Sequence, residues 1–337
     1  MTYRIAINGF GRIGRNYLRA LTDKKLANAG LQVVAINDLY DSAMLAHLLE
    51  YDSTFGRLDA QISYDDEALT VGWHRIPTFS ERIPDALPWG DLGVDLVIES
   101  TGKLRKREDA ALHLKAGAGR VLISAPGKNV DATLVPGVNA HSYDPDLHMV
   151  VSVASCTTNC VAPLLKVLHE AFTVEAGYLT TVHAYTNDQN VLDAPHKDPR
   201  RARAAGVNII PTSTGAAKAV GVVLPELAGR LDGVALRVPV VDGSISDLTL
   251  QFATEVGAEQ INAAVAEAAG GPLHGIIRYT EAPIVSSDIV GDPASCVFDA
   301  KLTQASGRLA KVFGWYDNEW GYTNRLVDLT QQMATRR

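Results

Sequence analysis

The chain has 337 residues, 47% of them hydrophobic and 20% charged, which fits about two globular domains and excludes a disordered or low-complexity chain. A formal net charge of −7 argues against a general nucleic-acid surface, and no apolar run approaches the roughly 20 residues of a membrane span. Residues 1–6 lack a signal-peptide layout and the cysteines number three, Cys156, Cys160 and Cys296, so a reducing, cytoplasmic location without a disulfide framework is expected.

The first half alternates short apolar runs with helical stretches. A strand is predicted over 5–7, a helix over 12–21 and a second strand over 32–36. A β-hairpin insertion follows over 61–79, turning near Asp65 and Asp66, and buried strands are predicted over 96–98 and 121–123. Continuous apolar strands separated by helices indicate a parallel sheet covered on both faces, hence an α/β domain over 1–155. The second half reads differently. A helix over 163–172 and longer, more alternating strands over 178–183, 234–240 and 247–254 predict an α+β domain over 156–318 with a mixed or antiparallel sheet. The final helix, seen over 319–333 and carried to 337, is expected to pack back on the first domain.

Gly9, Gly11 and Gly14 stand in G-x-G-x-x-G spacing directly after a predicted strand and at the start of a helix. Glycine is needed there because the backbone must turn tightly and approach a pyrophosphate closely, while the helix N-terminus offers N–H groups and a positive dipole end. Asp38 ends the second strand. An acid at that place accepts hydrogen bonds from adenosine ribose hydroxyls and repels a 2′-phosphate, which favours NAD over NADP. Taken alone, Asp38 also reads as the N-cap of the next helix.

The run from Ser152 to Cys160 passes from strand to helix through small polar residues, placing Cys156 at the helix N-terminus. That position favours the thiolate, and nearby N–H groups suit an oxyanion. Cys160, one turn on, lacks the companions of a zinc site and reads as a buried apolar residue, as does Cys296. A thiol nucleophile needs a base, and His183 ends a predicted strand. Spacing alone does not bring the two together.

Four stretches then stand out in order: INGFGRIGR over 7–15, ASCTTNC over 154–160, PTSTGAAK over 211–218 and WYDNEWGY over 315–322. With them the chain resembles the glyceraldehyde-3-phosphate dehydrogenase family along nearly its whole length. The resemblance implies a Rossmann-type NAD-binding domain, a catalytic domain and a homotetramer. It also implies Cys156 as nucleophile and His183 as base. Gly9, Gly11, Arg12, Ile13, Gly14, Asp38, Arg82, Ser124 and Asn318 fall at cofactor positions, Asn318 at the nicotinamide carboxamide. Ser155, Thr157, Thr186, Arg201, Thr214, Gly215 and Arg237 fall at positions for the substrate phosphate and the attacking inorganic phosphate. No metal is expected. Residues 185–208 resemble the family's S-loop, which lies between subunits.

The implied chemistry is oxidation of D-glyceraldehyde 3-phosphate to 1,3-bisphosphoglycerate through a thiohemiacetal and a thioester, with small molecules and no membrane or nucleic acid as partners. Two departures are visible. Val153 stands where the family commonly has asparagine. Ala194-Pro195 is half of a strictly NAD-dependent pattern, which leaves NADP as a disfavoured second cofactor. The alternatives are an erythrose-4-phosphate dehydrogenase and a non-catalytic nucleotide-sensing protein on the same scaffold.

Overall fold

In the computed structural model, which describes residues 2–22 and 30–336, the chain forms two compact units. Those of the first fall in the stretches Met1–Leu134, Ser142–Ala154 and Thr323–Arg337, those of the second in Val135–His141 and Ser155–Tyr322. Arg337, where the expected terminal helix was carried to, lies outside the described residues.

The first unit is built on a nine-stranded sheet. Its strands are β1 (Tyr3–Asn8), β2 (Leu31–Asn37), β3 (Ile62–Asp65), β4 (Ala68–Val71), β5 (His74–Phe79), β6 (Leu96–Glu99), β7 (Arg120–Ile123), β8 (Ala132–Thr133) and β9 (Val150–Ser152). They lie in the order β3-β4-β5-β2-β1-β6-β7-β9-β8. From β5 to β8 every pairing is parallel, which is the α/β arrangement the apolar runs predict. Ile5, Ile7, Ile36, Ile98 and Leu122 are wholly buried, as strands covered on both faces require. Helices α1 (Arg12–Thr22), α2 (Ser42–Glu50), α3 (Arg107–Ala110) and α4 (Leu112–Lys115) belong to this unit. Tyr17 of α1 donates to Thr330 Oγ1 of the C-terminal helix, Trp320–Thr335, at 3.0 Å, and the Arg336 guanidinium reaches Tyr143 O at 3.2 Å.

Two local readings change. The hairpin expected over 61–79 is a three-stranded meander, because a second turn at Gly72 and Trp73 sends β5 back to pair with β2. The N-cap of α2 is Asp41, whose Oδ1 accepts from Met44 N at 2.8 Å, so Asp38 is left for another task.

The second unit carries helices α5 (Cys156–Phe172), α6 (Ala216–Val223) and α7 (Ala258–Gly270). Its strands are β10 (Val174–Ala184), β11 (Ile210–Ser213), β12 (Leu231–Val238), β13 (Ser244–Phe252), β14 (Ile277–Thr280), β15 (Cys296–Asp299), β16 (Gln304–Ser306) and β17 (Leu309–Tyr316). Their order is β11-β12-β10-β13-β17-β15-β14, with β16 paired to β17. β10 and β12 are parallel, as are β14 and β15, and the other pairings are antiparallel, giving the mixed sheet of an α+β unit. Cys160 and Cys296 are fully buried, and Cys160 Sγ donates to Gly314 O at 3.6 Å, so both fill the core between α5 and the sheet.

Candidate active site

In the first unit, β2 and β6 flank β1 on opposite sides, so the chain reverses its winding there. Ligands of open α/β sheets bind at the carboxyl ends of strands around such a point. A cleft of about 310 Å³ opens at that place, lined by Asn8, Gly9 and Gly11 at and after the end of β1, Asn37 and Asp38 at and after the end of β2, and Ser100 and Thr101 after β6, together with Leu39, Tyr40, Glu81, Arg82, Lys103 and Leu104. Gly9 has φ +91°, and a Cβ on it would stand 2.6 Å from Thr101 N. One on Gly14 would stand 2.3 Å from Gly9 O, whereas one on Gly11 meets nothing within 4 Å. The first and third glycines are therefore required by the protein's own packing. The second keeps space open beside the first turn of α1, whose N–H groups have no intrahelical partner.

Asp38 braces this loop. Its Oδ2 accepts from Phe10 N at 2.7 Å and its Oδ1 from Tyr40 N at 3.3 Å. A carboxylate has about four acceptor sites, so two remain for ribose hydroxyls. These residues fit a dinucleotide. Arg82 is exposed on the cleft wall. Arg12 pairs instead with Asp52 and lies 5.6 Å from the Phe55 ring centroid. Ile13 sits in the first turn of α1, and Ser124 follows β7 with its N–H on Glu99 O at 2.9 Å. Neither lines the cleft.

The cleft wall is anchored from behind. Glu99 Oε1 accepts from Thr101 N at 2.9 Å, and Oε2 accepts from Asn8 Nδ2 at 2.6 Å and stands 3.1 Å from His113 Nε2. Trp89 Nε1 donates to His113 Nδ1 at 3.0 Å. An indole N–H only donates, so the His113 proton sits on Nε2, facing Glu99.

In the second unit, Cys156 is the first residue of α5. Ala154, with φ +59°, turns the chain out of β9, and Ser155 caps the helix by accepting Thr158 N at 3.1 Å. Such a non-glycine turn costs about 1–3 kcal/mol and persists only where its surroundings enforce it. Cys156 Sγ lies 3.4 Å from Nε2 of His183, near the end of β10. Burial pushes the Cys156 thiol up, opposed by the Arg237 cation and by hydrogen bonds from Thr157. His183 is pushed down to about 3, first by burial and then by Arg237. The resting pair is thus a thiol facing a neutral imidazole, which is the state of a general base. Nδ1 of His183 lies 2.6 Å from Ala184 O and 2.7 Å from Arg237 Nη1. Ala184 O accepts from Arg237 Nη1 and can accept from Nδ1–H as well, the tautomer that leaves the Nε2 lone pair for the thiol.

Parallel pairing sets His183 opposite Arg237 of β12. Arg237 Nη1 also donates to Ala184 O at 3.0 Å, while its Nε is buried without a partner. Arg201 donates through Nε to Thr212 Oγ1 at 2.9 Å and pairs with Asp188. Burial and the Arg237 cation both lower Arg201, and Arg201 in turn lowers His183. Two guanidinium groups beside a neutral histidine have the chemistry that suits an anion. Thr214 and Gly215 precede α6, and Thr214 Oγ1 accepts Ala216 N at 3.2 Å. Thr186 N donates to Gln189 Oε1 at 3.3 Å. The contacts of these three are local, without a hydrogen bond to Cys156 or His183.

Asn318 reaches the thiol site through Ser244. Ser244 Oγ donates to Asn318 Oδ1 at 2.6 Å and accepts from Ala184 N at 3.1 Å. Sequence reasoning misses Ser244, and it misses Tyr316 and Thr181. The Tyr316 ring stands edge-on to His183, with centroids 5.9 Å apart. Its hydroxyl lies 2.9 Å from Thr157 Oγ1 and 2.7 Å from Thr181 Oγ1. Tyr316 is inside the 315–322 motif, which is the one signal that points to it.

Residues 3–107 match the family model for the glyceraldehyde 3-phosphate dehydrogenase NAD binding domain, and residues 155–318 match that for its C-terminal domain. The chain is 59% identical over 332 residues to glyceraldehyde-3-phosphate dehydrogenase of Streptomyces coelicolor, covering 98% of each chain. It is 57% identical over 331 residues to glyceraldehyde-3-phosphate dehydrogenase 2 of Streptomyces avermitilis, again covering 98% of each. With the enzyme of that name from Geobacillus stearothermophilus it shares 55% identity over 337 residues, 100% of this chain and 99% of the other. A glycine loop shaped for a dinucleotide, a thiol–imidazole pair at a helix start and these full-length likenesses agree: the chain belongs to the glyceraldehyde 3-phosphate dehydrogenase family.

Proposed function

We propose that the protein is a phosphorylating, NAD-dependent glyceraldehyde-3-phosphate dehydrogenase, with a cofactor domain over 1–155, joined by the terminal helix, and a catalytic domain over 156–318. The observation that carries this reading is the 3.4 Å approach of Cys156 Sγ to His183 Nε2 beside Arg237, whose buried Nε lacks a partner. His183 takes the thiol proton as the sulfur adds to the aldehyde carbon and passes it to the oxygen that gains charge, giving a hemithioacetal. The N–H groups that open α5 face the oxygen that gains charge. NAD, when bound, supplies the hydride acceptor. His183 removes the hydroxyl proton during that oxidation, and the resulting Cys156 thioester is attacked by inorganic phosphate. The acyl phosphate leaves, and the departing thiolate takes the proton back from His183.

Arg237 and Arg201 suit the two phosphate groups, with Ser155, Thr157, Thr186, Thr214 and Gly215 as further donors. Gly9, Gly11, Asp38 and Arg82 line the cleft that suits the dinucleotide and Gly14 shapes its loop, while Arg12, Ile13 and Ser124, which do not line it, and Asn318 at the carboxamide are assigned to the cofactor by the family resemblance. Asp38 supports NAD over NADP by its place on the cleft wall. Val191, Leu192, Val207 and Ile209 are 83%, 75%, 79% and 67% exposed, which supports burial of the segment in a homotetramer. No described helix is long and apolar enough to cross a membrane. Three free cysteines support a reducing, cytoplasmic location.

The test is NAD reduction with glyceraldehyde 3-phosphate, with and without inorganic phosphate, beside erythrose 4-phosphate. Strong phosphate dependence and preference for the triose are expected. Equal rates without phosphate, or a preference for the tetrose, would overturn the assignment.

A further inference from the structure

Asp242 lies in the turn between β12 and β13, and Asp317 follows β17. Each is 1% exposed, and among the described residues neither is paired with a lysine or arginine. Asp317 is well supplied as an anion. Its Oδ1 accepts Glu319 N at 2.8 Å and Trp320 N at 2.5 Å, and its Oδ2 accepts Gly291 N at 2.7 Å. Asp242 is not. Its Oδ1 accepts Gly243 N at 2.8 Å, and its Oδ2 is buried with no partner. The two carboxyls are nevertheless close enough that each acts on the other.

Two carboxylates present acceptors to each other and no donor. A single proton removes the conflict. We propose that Asp242 is held as a neutral acid, donates a hydrogen bond to the Asp317 carboxylate, and thereby positions Asn318. This rests on the reading that Asn318 meets the cofactor's carboxamide.

The geometry gives the link. Asp242 and Ser244 lie on one segment, Asp317 and Asn318 on the other, and the bond between Ser244 Oγ and Asn318 Oδ1 at 2.6 Å is a second rung between them. The turn between the rungs cannot absorb a shift. Gly243 has φ +85°, and a Cβ there would stand 2.3 Å from Ser286 O. Glu319 is the further charge that acts on Asp242, and the segment packed against Gly243 carries Asp288 and Asp292. Asp288 caps Val285 N at 2.8 Å, and Asp292 is neutralised by Arg278 at 2.5 Å. Burial, then the charges of Asp317 and Glu319, push Asp242 up to about 9. Burial raises Asp317 to about 6 against the pull of its three N–H donors. At neutral pH the proton therefore belongs to Asp242. Once it is lost, two like charges face each other and the rungs separate.

Two measurements test this. Infrared difference spectra of the cofactor-free protein, titrated upward with carboxyl-labelled aspartate, should show a protonated-carboxyl stretch at neutral pH that disappears at alkaline pH and is missing in Asp242→Asn. Calorimetric Kd values for NAD should weaken with alkaline pH in the parent protein, by up to about tenfold per pH unit. In Asp242→Asn, whose amide is a permanent donor, that alkaline limb should vanish. ADP-ribose, which lacks the nicotinamide, should show no limb in either protein. Absence of the band, or an identical alkaline limb in Asp242→Asn, overturns the proposal. An equal limb for ADP-ribose overturns the positioning of Asn318. An Asn318→Ala variant with undiminished affinity for NAD refutes the cofactor reading of Asn318 itself, whatever the infrared band shows.

Discussion

The three glycines of the nucleotide loop allow cofactor binding to be separated from folding. Alanine at Gly11 adds a methyl that meets no protein atom within 4 Å, at a position outside the left-handed region. The cofactor-free protein should keep its stability, or gain about 0.5 kcal/mol from a stiffer unfolded chain. Alanine at Gly14 is different. Its Cβ would stand 2.3 Å from Gly9 O, 3.1 Å from Ile7 Cγ2 and 3.2 Å from Ser100 Oγ, so α1 must shift away from the Gly9 carbonyl. Overpacking of that kind costs about 1–3 kcal/mol. For Gly11→Ala the cost falls on the ligand. A pyrophosphate held away by one methyl loses at least one charge-assisted hydrogen bond, about 2 kcal/mol, or roughly 30-fold in Kd. Urea unfolding without NAD and titration calorimetry with NAD measure the two effects independently. Wild-type affinity in Gly11→Ala, or a stability loss matching that of Gly14→Ala, would refute the assignment of this open space to the cofactor.

Tyr316→Phe removes the hydroxyl shared by Thr157 at 2.9 Å and Thr181 at 2.7 Å, and takes one buried hydrogen-bond partner from each. A loss of about 2 kcal/mol in urea unfolding is expected, and a change below about 0.5 kcal/mol rejects the network's role. In Arg237→Leu the second cause of the depressed His183 pKa is gone while burial remains, so its imidazole should titrate above about 3 in NMR spectra. An unmoved midpoint excludes that electrostatic link. Asp242 is raised in the folded state to about 9, so the native protein keeps a proton that the unfolded chain has released. Stability from this group should therefore decline as pH rises from about 4 toward 9 and then level off. Thermal unfolding against pH should be flatter in Asp242→Asn over that window, and a parallel decline in both proteins counts against the sign.

Positions governed by local backbone demands were legible in the sequence. Gly9 and Gly14 are set by contacts within a few residues or with the neighbouring strand end, and Cys156 by a strand-to-helix step that carries its own small-residue signature. Asp38 was legible as an acid at a strand end, though its competing reading as a cap fails because Asp41 takes that place. The meander over 61–79 was half legible. The turn before β4 shows in its acidic cluster, but β5 finds its partner in β2, some forty residues earlier, and nothing local specifies that. The same limit hides Ser244, which stands opposite Tyr316 in the antiparallel register of β13 and β17. An aspartate that meets another aspartate across the fold looks, in one dimension, like any surface acid.

Trp89 also gives the first unit an optical probe of its own. It is 0% exposed, whereas Trp73 is 97% exposed, so a water-borne quencher such as iodide silences the second and spares the first. From the Trp89 indole, hydrogen bonds run through His113 and Glu99 to Thr101 on the cleft wall. Emission from this buried ring is thus tied by three polar contacts to the surface a dinucleotide would cover. Trp315 and Trp320 of the second unit, both partly buried, also emit, so ligand entry is followed with no label attached once these two are replaced by phenylalanine.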